Sequence, residues 1–151
     1  MKTPPLERFL TYRLHVVNKI TDRDTNRAYL SDCDIPLGEA RCLAAIGRYA
    51  PLSVNDLART ANLNKGQASR SAQALVDRGL VEKTLSASDG RGVVLTPTAS
   101  GLTQYQRIID LIARRNDEIF ACLSADEQRL FGNMLDRLIE HVQSPAEGAE
   151  D

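Results

Sequence analysis

Four residues suited to close hydrogen-bonded contact recur at helical spacing in the middle of the chain. An advance of 100° per residue puts Gly66, Gln67, Arg70 and Gln73 on one side of a helix. Arginine pairs bidentately with guanine O6 and N7, and glutamine with adenine N6 and N7, so this side fits the floor of a DNA major groove. An ordinary solvated face is the alternative, since polar residues outside a helix are the default. The opposite side carries apolar residues that must face a core: Ala68, Ala72, Leu75 and Val76.

The N-terminal end of the same helix offers groups that suit phosphate. Asn64 and Lys65 lie at the positive end of the helix dipole, and the small residues Ser69 and Ser71 flank the polar face. Asn64 is a typical N-cap residue, and Gln67 stands three residues later, where its side chain reaches back. We therefore expect a capped helix that starts at Lys65.

A shorter helix precedes it. Ser53 and Asp56 form an S-x-x-D capping pattern, in which the hydroxyl and the carboxylate each satisfy free amides at a helix start. Asn62 and Leu63 make a turn before the second helix, which ends where Gly79 can take the left-handed conformation. Two short helices joined by a tight turn predict a helix-turn-helix, and Ser53 joins its candidate DNA contacts.

A β-hairpin is predicted directly after the second helix. Residues 80–85 and 92–96 are short β-prone runs, and the Asp-Gly pair between them is a strong hairpin signal. Such a wing would carry Ser88, Asp89 and Arg91 near its tip, where the arginine could enter the narrow minor groove and Asp89 could orient it. A local ion pair between Asp89 and Arg91 is the alternative for these two residues.

Helical spacing of apolar residues also predicts helices on both sides of this unit. The first runs from residue 6 and continues to about residue 30, and Pro36 starts a second that ends at Tyr49. A long helix restarts at Thr98, and Ser124 and Glu127 cap a last one. The terminal helices offer more apolar surface than a compact winged helix can cover, so they are expected to pair with a second copy.

The predicted fold class is therefore mainly α with a small β wing. It is a winged helix-turn-helix with N- and C-terminal dimerisation helices. The predicted domains are an N-terminal dimerisation helix (1–35), a winged helix-turn-helix (36–97), C-terminal dimerisation helices (98–144) and a disordered tail (145–151).

Composition excludes several classes of protein. Residues 1–52 hold eight basic and six acidic residues and residues 53–91 hold six and four, whereas residues 92–151 hold five and ten, so the acidic excess lies at the C-terminal end and the middle segment is mildly positive. No apolar run is long enough to span a bilayer, and the N-terminus lacks the apolar core of a secretory signal, which predicts a cytoplasmic protein without membrane contact. Two isolated histidines provide neither a catalytic cluster nor a metal set, so we expect no enzyme, no metal and no cofactor.

These motifs resemble those of the MarR family of bacterial transcriptional regulators over nearly the whole chain. The resemblance is most specific between residues 52 and 101. One departure is Pro97, where the family's strand end usually has leucine, and we expect it to shorten the second wing strand. The matching motifs are Leu57-Ala58, Leu63-Asn64-Lys65, Ser69-Arg70, Leu75-Val76, Arg78-Gly79-Leu80-Val81, Asp89-Gly90-Arg91 and Thr98-Ala99-Ser100-Gly101.

The resemblance implies a homodimer whose two recognition helices enter successive major grooves of a near-palindromic double-stranded DNA operator and usually repress nearby genes. It also implies a small phenolic or aromatic carboxylate effector held between the dimer helices and the winged domain. Tyr12, Arg13, His15 and Lys19 on the first helix are the candidate ligand residues, because a cation beside an aromatic ring suits such a ligand. An interface or surface role for Arg13 and His15 is the alternative.

Two other functions stay open at this point. One is a redox sensor of the same fold, with Cys33 or Cys42 as the oxidised thiol, although a buried inert thiol suits the apolar surroundings of Cys42. The other is a winged helix that binds protein. That function would require an apolar outer face on the second helix, and Gln67, Arg70 and Gln73 argue against it.

Overall fold

The computed structural model describes residues 2–86 and 92–143. The chain divides into two units, Met1–Arg115 and Asn116–Asp151. One 3-10 turn, Leu6–Arg8, precedes the first helix. In chain order the helices and strands are α1 (Leu10–Cys33), α2 (Leu37–Tyr49), α3 (Val54–Thr60), α4 (Lys65–Asp77), β1 (Val81–Leu85), β2 (Val93–Pro97), α5 (Ala99–Ile119) and α6 (Ala125–Gln143).

The long first helix is confirmed, with different ends. It begins at Leu10, after the 3-10 turn, and continues beyond the predicted end near residue 30 to Cys33. It ends where Asp34 takes a left-handed conformation at φ 51°, which aspartate tolerates better than most residues. Side chains of α5 satisfy its last carbonyls: Gln104 Nε2 donates to Cys33 O at 2.6 Å, and Arg107 donates to Asp32 O. The end of α1 is thus fixed against α5.

The helix-turn-helix follows the predicted boundaries. Asn62 lies in the left-handed region at φ 57°, and the N–H of Leu63 donates to Ala58 O at 2.9 Å, which closes the end of α3. Gly79 ends α4 at φ 75°, a conformation that glycine adopts without a steric penalty. These two reversals give α3 and α4 their abrupt ends and carry the chain into the wing.

The wing is a two-stranded antiparallel sheet, and its register shows that the expectation for Pro97 was wrong. Strand β2 extends through Pro97, which lies opposite Val81. Leu95 N–H donates to Leu52 O at 2.7 Å and therefore points away from β1. The backbone groups of every second residue along a strand point the same way, so those of Pro97 also face away from β1. The N–H that proline lacks would point the same way, so the ladder loses no bond and the strand keeps its length.

One apolar core holds the first unit together. It collects buried residues of α2, α3, α4, the wing and α5, including Leu43, Leu57, Leu75, Leu95 and Ile108. Ala68, Ala72 and Leu75 are the buried residues of α4, as its periodicity predicted, and Val76 packs against the core partly exposed. The side of α4 opposite these residues therefore faces outward.

The side chains of Arg78 and Thr98 fix the C-terminal end of α4. Arg78 Nη1 donates to Asp34 O at 2.9 Å, and Arg78 Nε lies 3.4 Å from Glu39 Oε2. The hydroxyl of Thr98 donates to Gly79 O at 2.7 Å and accepts from the N–H of Gly101 at 3.0 Å. The ends of α1, α4 and β2 are thereby tied to the starts of α2 and α5.

The second unit contains the end of α5 and the whole of α6. The predicted capping box at its start is confirmed: Glu127 N–H donates to Ser124 Oγ at 3.1 Å, and Ser124 N–H donates to Glu127 Oε1 at 2.9 Å. These bonds hold the pKa of the Glu127 carboxyl below its usual value. The predicted tail at 145–151 lies outside the described residues.

Candidate nucleic-acid interface

The capping box predicted at the start of α4 is confirmed in both halves. Gln67 N–H donates to Asn64 Oδ1 at 2.8 Å, and Asn64 N–H donates to Gln67 Oε1 at 3.2 Å. Two of the amides at the helix start are therefore satisfied within the chain. The amide nitrogens of both side chains keep their donors for an outside partner.

The predicted polar face of α4 is exposed. Gly66, Gln67, Ser69, Arg70 and Gln73 are all exposed, as are Asn64 and Lys65 at the helix start. Ser71, on the flank, is partly buried. The helix therefore presents one continuous row of donors and acceptors to the outside.

Two cations on this face have no acidic partner in the described part of the chain. Lys65 and Arg70 make no ion pair with a carboxylate among residues 2–86 and 92–143. The Arg70 guanidinium lies back along the helix, because a β-carbon built on Gly66 would stand 3.3 Å from Arg70 Nη1. A larger residue at position 66 would press on this side chain. The bare backbone of Gly66 thus leaves room for the guanidinium.

Gln73 is exposed but already hydrogen-bonded. Its Nε2 donates to Asp77 Oδ1 at 2.8 Å, and its Oε1 accepts from Lys83 Nζ at 2.6 Å. Lys83 belongs to β1, so this bond joins the wing to α4. Sequence reasoning missed Lys83. No local pattern in the sequence shows which residue of a strand contacts a helix residue ten positions earlier.

The first helix of the motif carries half of its predicted capping box. Ser53 Oγ accepts from Asp56 N–H at 3.1 Å. The Asp56 carboxylate accepts instead from Arg59 Nη2 at 2.5 Å. The prediction that the Asp56 carboxylate reaches back to the helix start was therefore wrong. The carboxylate forms an ion pair with Arg59, one helical turn further along. Ser53 is partly buried and fixes the start of α3.

The candidate contacts at the wing tip, Ser88, Asp89 and Arg91, lie outside the described residues. The base of the wing is described. Ser86 N–H donates to Gly92 O at 2.7 Å, which continues the β1–β2 ladder to the last described pair. Residues 81–86 and 92–97 of the wing are thus paired along their whole described length.

The residues predicted to bind an effector all lie on exposed turns of α1. Tyr12, Arg13, His15 and Lys19 are exposed, and Arg13 Nε donates to Glu7 O at 3.2 Å. None of the four lines the cavity described next.

A cavity of about 680 Å³ lies between α1, α2, α3 and α5 within the first unit. Arg41 pairs there with Asp22 at 2.7 Å, and the guanidinium of Arg48 lies 5.0 Å from the centre of the Tyr49 ring. Arg48 has no carboxylate partner among the residues that the structure describes. Sequence reasoning missed this arginine, which lies at the end of α2. The residues that line the cavity are Asn18, Asp22, Arg41, Ala44, Ala45, Arg48, Tyr49, Thr60, Ala61, Asn62 and Ile112.

The two cysteines considered as oxidant sensors are buried. Burial raises the pKa of the Cys42 thiol to about 11, against a hydrogen bond from Ser71, and the Glu39 charge adds to the rise. Burial also raises the pKa of Cys33, which outweighs the opposing charge of Arg107. Since the thiolate is the reactive form, both groups are poor candidates for oxidation.

We expect Cys42 to resist alkylation in the folded protein. At pH 7.5 a pKa of about 11 leaves on the order of one Cys42 thiol in 3,000 ionised. A brief iodoacetamide pulse followed by mass spectrometry should modify the exposed Cys122 and leave Cys42 intact. Protein unfolded in guanidinium chloride is the positive control. Rapid native modification of Cys42 would contradict its assignment as an inert core thiol.

Within the described ranges, no group of three His, Cys, Asp or Glu residues is placed to hold a metal ion. Among the same residues, no helix has both the length and the apolar character required to cross a bilayer. The fold and the exposed polar face of α4 define a winged helix-turn-helix protein.

Known proteins share this architecture and between a quarter and a third of the aligned residues. A family model described as MarR family matches residues 34–92. An HTH-type transcriptional repressor from Mycobacterium tuberculosis is 30% identical over 129 residues, which cover 85% of this chain and 92% of the repressor. A MarR family transcriptional regulator from Silicibacter pomeroyi superposes with a TM-score of 0.81 at 25% identity, over 91% of this chain and 92% of its own.

A mutant MarR from E. coli, solved in complex with operator DNA, has a TM-score of 0.75 and 27% identity over 86% of this chain and 93% of its own. The chain belongs to the MarR family of transcriptional regulators. It is a regulator and not an enzyme, and the predicted mainly α fold with a small β wing is confirmed.

Proposed function

We propose that this regulator binds a near-palindromic operator duplex as a homodimer and represses the adjacent genes. The observation that carries the proposal is the exposed face of α4, whose Lys65 and Arg70 are free of acidic partners in the described part of the chain. The proposal is further supported by the likeness to the E. coli protein solved with operator DNA.

Each group on α4 has a role in this proposal. Arg70 and Gln73 contact base edges, and Gln67 adds a donor. Ser69 and Gly66 are small, so they let the backbone of α4 come close to the DNA. Asn64 and Lys65 meet phosphate at the helix start. Ser53 at the start of α3 and the wing residues Ser88, Asp89 and Arg91 complete the proposed contacts.

Dimerisation is supported by apolar surface that each unit leaves exposed. On α1, Leu10, Leu14 and Val17 are 72%, 42% and 50% exposed. On α6, Leu130 and Leu138 are 60% and 49% exposed. Stripes of this kind mark protein interfaces, and a second copy would bury them. The helices outside residues 36–97 are therefore the proposed dimerisation elements.

Binding to defined duplexes tests this function. The wild-type protein should retain a site selected from random duplexes far more strongly than a shuffled duplex of equal length. Its affinity should fall with salt at a log–log slope of about −0.9 per phosphate neutralised. Sedimentation should give two chains per bound site. Equal binding to selected and shuffled duplexes, or no duplex binding at all, would contradict the proposal.

A small aromatic or phenolic carboxylate is the proposed effector, and two places on the first unit could hold it. The cavity offers a guanidinium, Arg48, beside the Tyr49 ring, which suits an aromatic anion. The exposed cluster of Tyr12, Arg13, His15 and Lys19 offers similar groups without an enclosing wall. The cavity is favoured because four helices contribute to its walls, whereas the cluster lies on one exposed helix.

Single substitutions distinguish the two places. If the cavity holds the effector, Arg48→Ala should raise the half-maximal concentration of a hydroxybenzoate for operator release roughly 12-fold to 150-fold, the equivalent of about 1.5–3 kcal/mol for a hydrogen bond to a charged group. Arg13→Ala should then leave it unchanged. The reverse result would assign the N-terminal cluster. Release that is insensitive to both variants, or no release by any of a panel of aromatic acids, would contradict the effector proposal.

A further inference from the structure

The side-chain amide of Gln73 lies between two groups of opposite charge. On one side Lys83 Nζ is 2.6 Å from its Oε1, and on the other Asp77 Oδ1 is 2.8 Å from its Nε2. Asp77 is one helical turn further along α4, whereas Lys83 comes from the wing strand β1. All three residues are exposed, so the network lies on the outer surface.

The two partners permit a single orientation of this amide. An ammonium group only donates hydrogen bonds, and a carboxylate only accepts them. Rotation of the amide by 180° would turn its NH₂ toward Lys83 and its oxygen toward Asp77, which would lose both hydrogen bonds and set like polarities against each other. The orientation of Gln73 is therefore chemically determined.

The network also leaves Gln73 with a defined remaining capacity. Its amide has two N–H donors and two acceptor lone pairs, of which Asp77 and Lys83 each occupy one. One donor and one acceptor remain. A bidentate pair with adenine requires one acceptor for N6–H and one donor for N7. The amide thus keeps the pair of groups that reading an adenine would require.

We propose that Lys83 is a positioning residue that sets the base preference of Gln73, an inference that rests on the proposed operator binding. Lys83 touches no base in this assignment. It holds the amide of Gln73 in one orientation, with the oxygen and the nitrogen in fixed positions. A residue of the wing strand thereby contributes to the base preference of α4. Without Lys83 the hydrogen bond to Asp77 alone holds the amide, so the orientation that matches adenine is enforced less strongly.

The test compares Lys83→Met and Gln73→Ala on duplexes in which each base pair of the selected site is varied in turn. Lys83→Met should reduce discrimination at a single base pair by between about 2-fold and 12-fold, the range for one neutral hydrogen bond. Gln73→Ala should affect the same base pair, and the double variant should lose no more discrimination than Gln73→Ala alone. The salt slope should stay as in wild type.

Lys2→Met is the matched control, because it removes an exposed lysine remote in sequence from α4 and the wing. It should leave every preference unchanged. A second measurement needs no DNA: in the free protein, the NH₂ resonances of Gln73 should show greater mobility in Lys83→Met than in wild type. Thermal unfolding of each variant checks that the fold is retained.

Contrary outcomes are distinct. If Lys83→Met weakens all duplexes equally and lowers the salt slope by about 1, Lys83 is a phosphate contact and the positioning role is overturned. Unchanged mobility of the Gln73 amide, or full additivity with Gln73→Ala, would also overturn it. A wild-type protein without any base preference would instead overturn the proposed function, and with it this inference.

Discussion

Gly101→Ala is expected to destabilise the protein by about 3 kcal/mol, at the upper end of the cost of overpacking. A β-carbon at this position would overlap the carbonyl oxygen of Leu80 and lie 2.9 Å from its carbonyl carbon. These are backbone atoms at the start of the wing, so no side chain can rotate away. Either α5 or β1 must shift, and Thr98, which is bonded to Gly79 and to Gly101, would be displaced.

Gly38→Ala is the matched control. A β-carbon there would meet only Ser71 Oγ at 3.6 Å, an ordinary van der Waals contact in the first turn of α2. We expect its stability to stay within about 1 kcal/mol of wild type, since alanine favours helix over glycine by roughly that amount. Urea unfolding followed by circular dichroism measures both variants. Equal midpoints for Gly101→Ala and wild type would mean that α5 and the wing are not in such close contact.

Arg70→Ala is expected to cost about 1–3 kcal/mol of binding free energy at one base pair, roughly 5-fold to 150-fold in affinity. Within residues 2–86 and 92–143, Arg70 is the largest donor on the exposed face of α4 without a carboxylate partner, and its planar guanidinium can form two parallel hydrogen bonds with a guanine edge. The loss should vanish on duplexes in which that base pair is already changed, because the wild-type contact is absent there too.

Lys65→Ala gives the contrasting result. It should weaken binding to all duplexes by a similar factor and reduce the magnitude of the salt slope by about 1, as expected for a phosphate contact. Arg129→Ala on α6, which removes an arginine paired with Asp126, is the control for loss of charge alone. Fluorescence anisotropy on a panel of single-base variants measures all three. An unchanged base preference in Arg70→Ala would contradict its assignment as a base-reading residue.

Local signals in the sequence were reliable wherever a structural feature depends on neighbours along the chain. The capping box of Asn64 and Gln67, the left-handed Gly79 and the buried stripe with Ala72 and Leu75 were all predicted, because caps and helix faces involve residues three or four positions apart. These features determine which side of α4 faces outward. The exposed face of the candidate site was therefore predictable.

Features that depend on distant pairings were not predictable. The sequence indicated that Pro97 would shorten β2. The effect of this proline depends on whether its backbone nitrogen faces β1 or faces away, and the bridge between Leu52 and Leu95 shows that it faces away. The bond from Lys83 to Gln73 depends on the angle between the wing and α4. Strand register and helix–sheet geometry are tertiary properties, so neither could be derived from local patterns.

The candidate effector residues illustrate the same limit. Tyr12, Arg13, His15 and Lys19 were selected because they share one helix and suitable chemistry, whereas a cavity needs walls from several elements. Arg48, at the end of α2, borders such a cavity because α1, α3 and α5 meet there. Helical spacing alone did not single it out from other exposed arginines.

Selection of binding sites from a random duplex library tests the central claim, that two copies of α4 read a duplex together. We predict an enriched inverted repeat whose half-site centres are one helical turn apart, about 10–10.5 base pairs. With Arg70→Ala, one symmetric pair of positions in that repeat should lose its base preference. No enrichment, or an enriched site without an inverted repeat, would contradict the account.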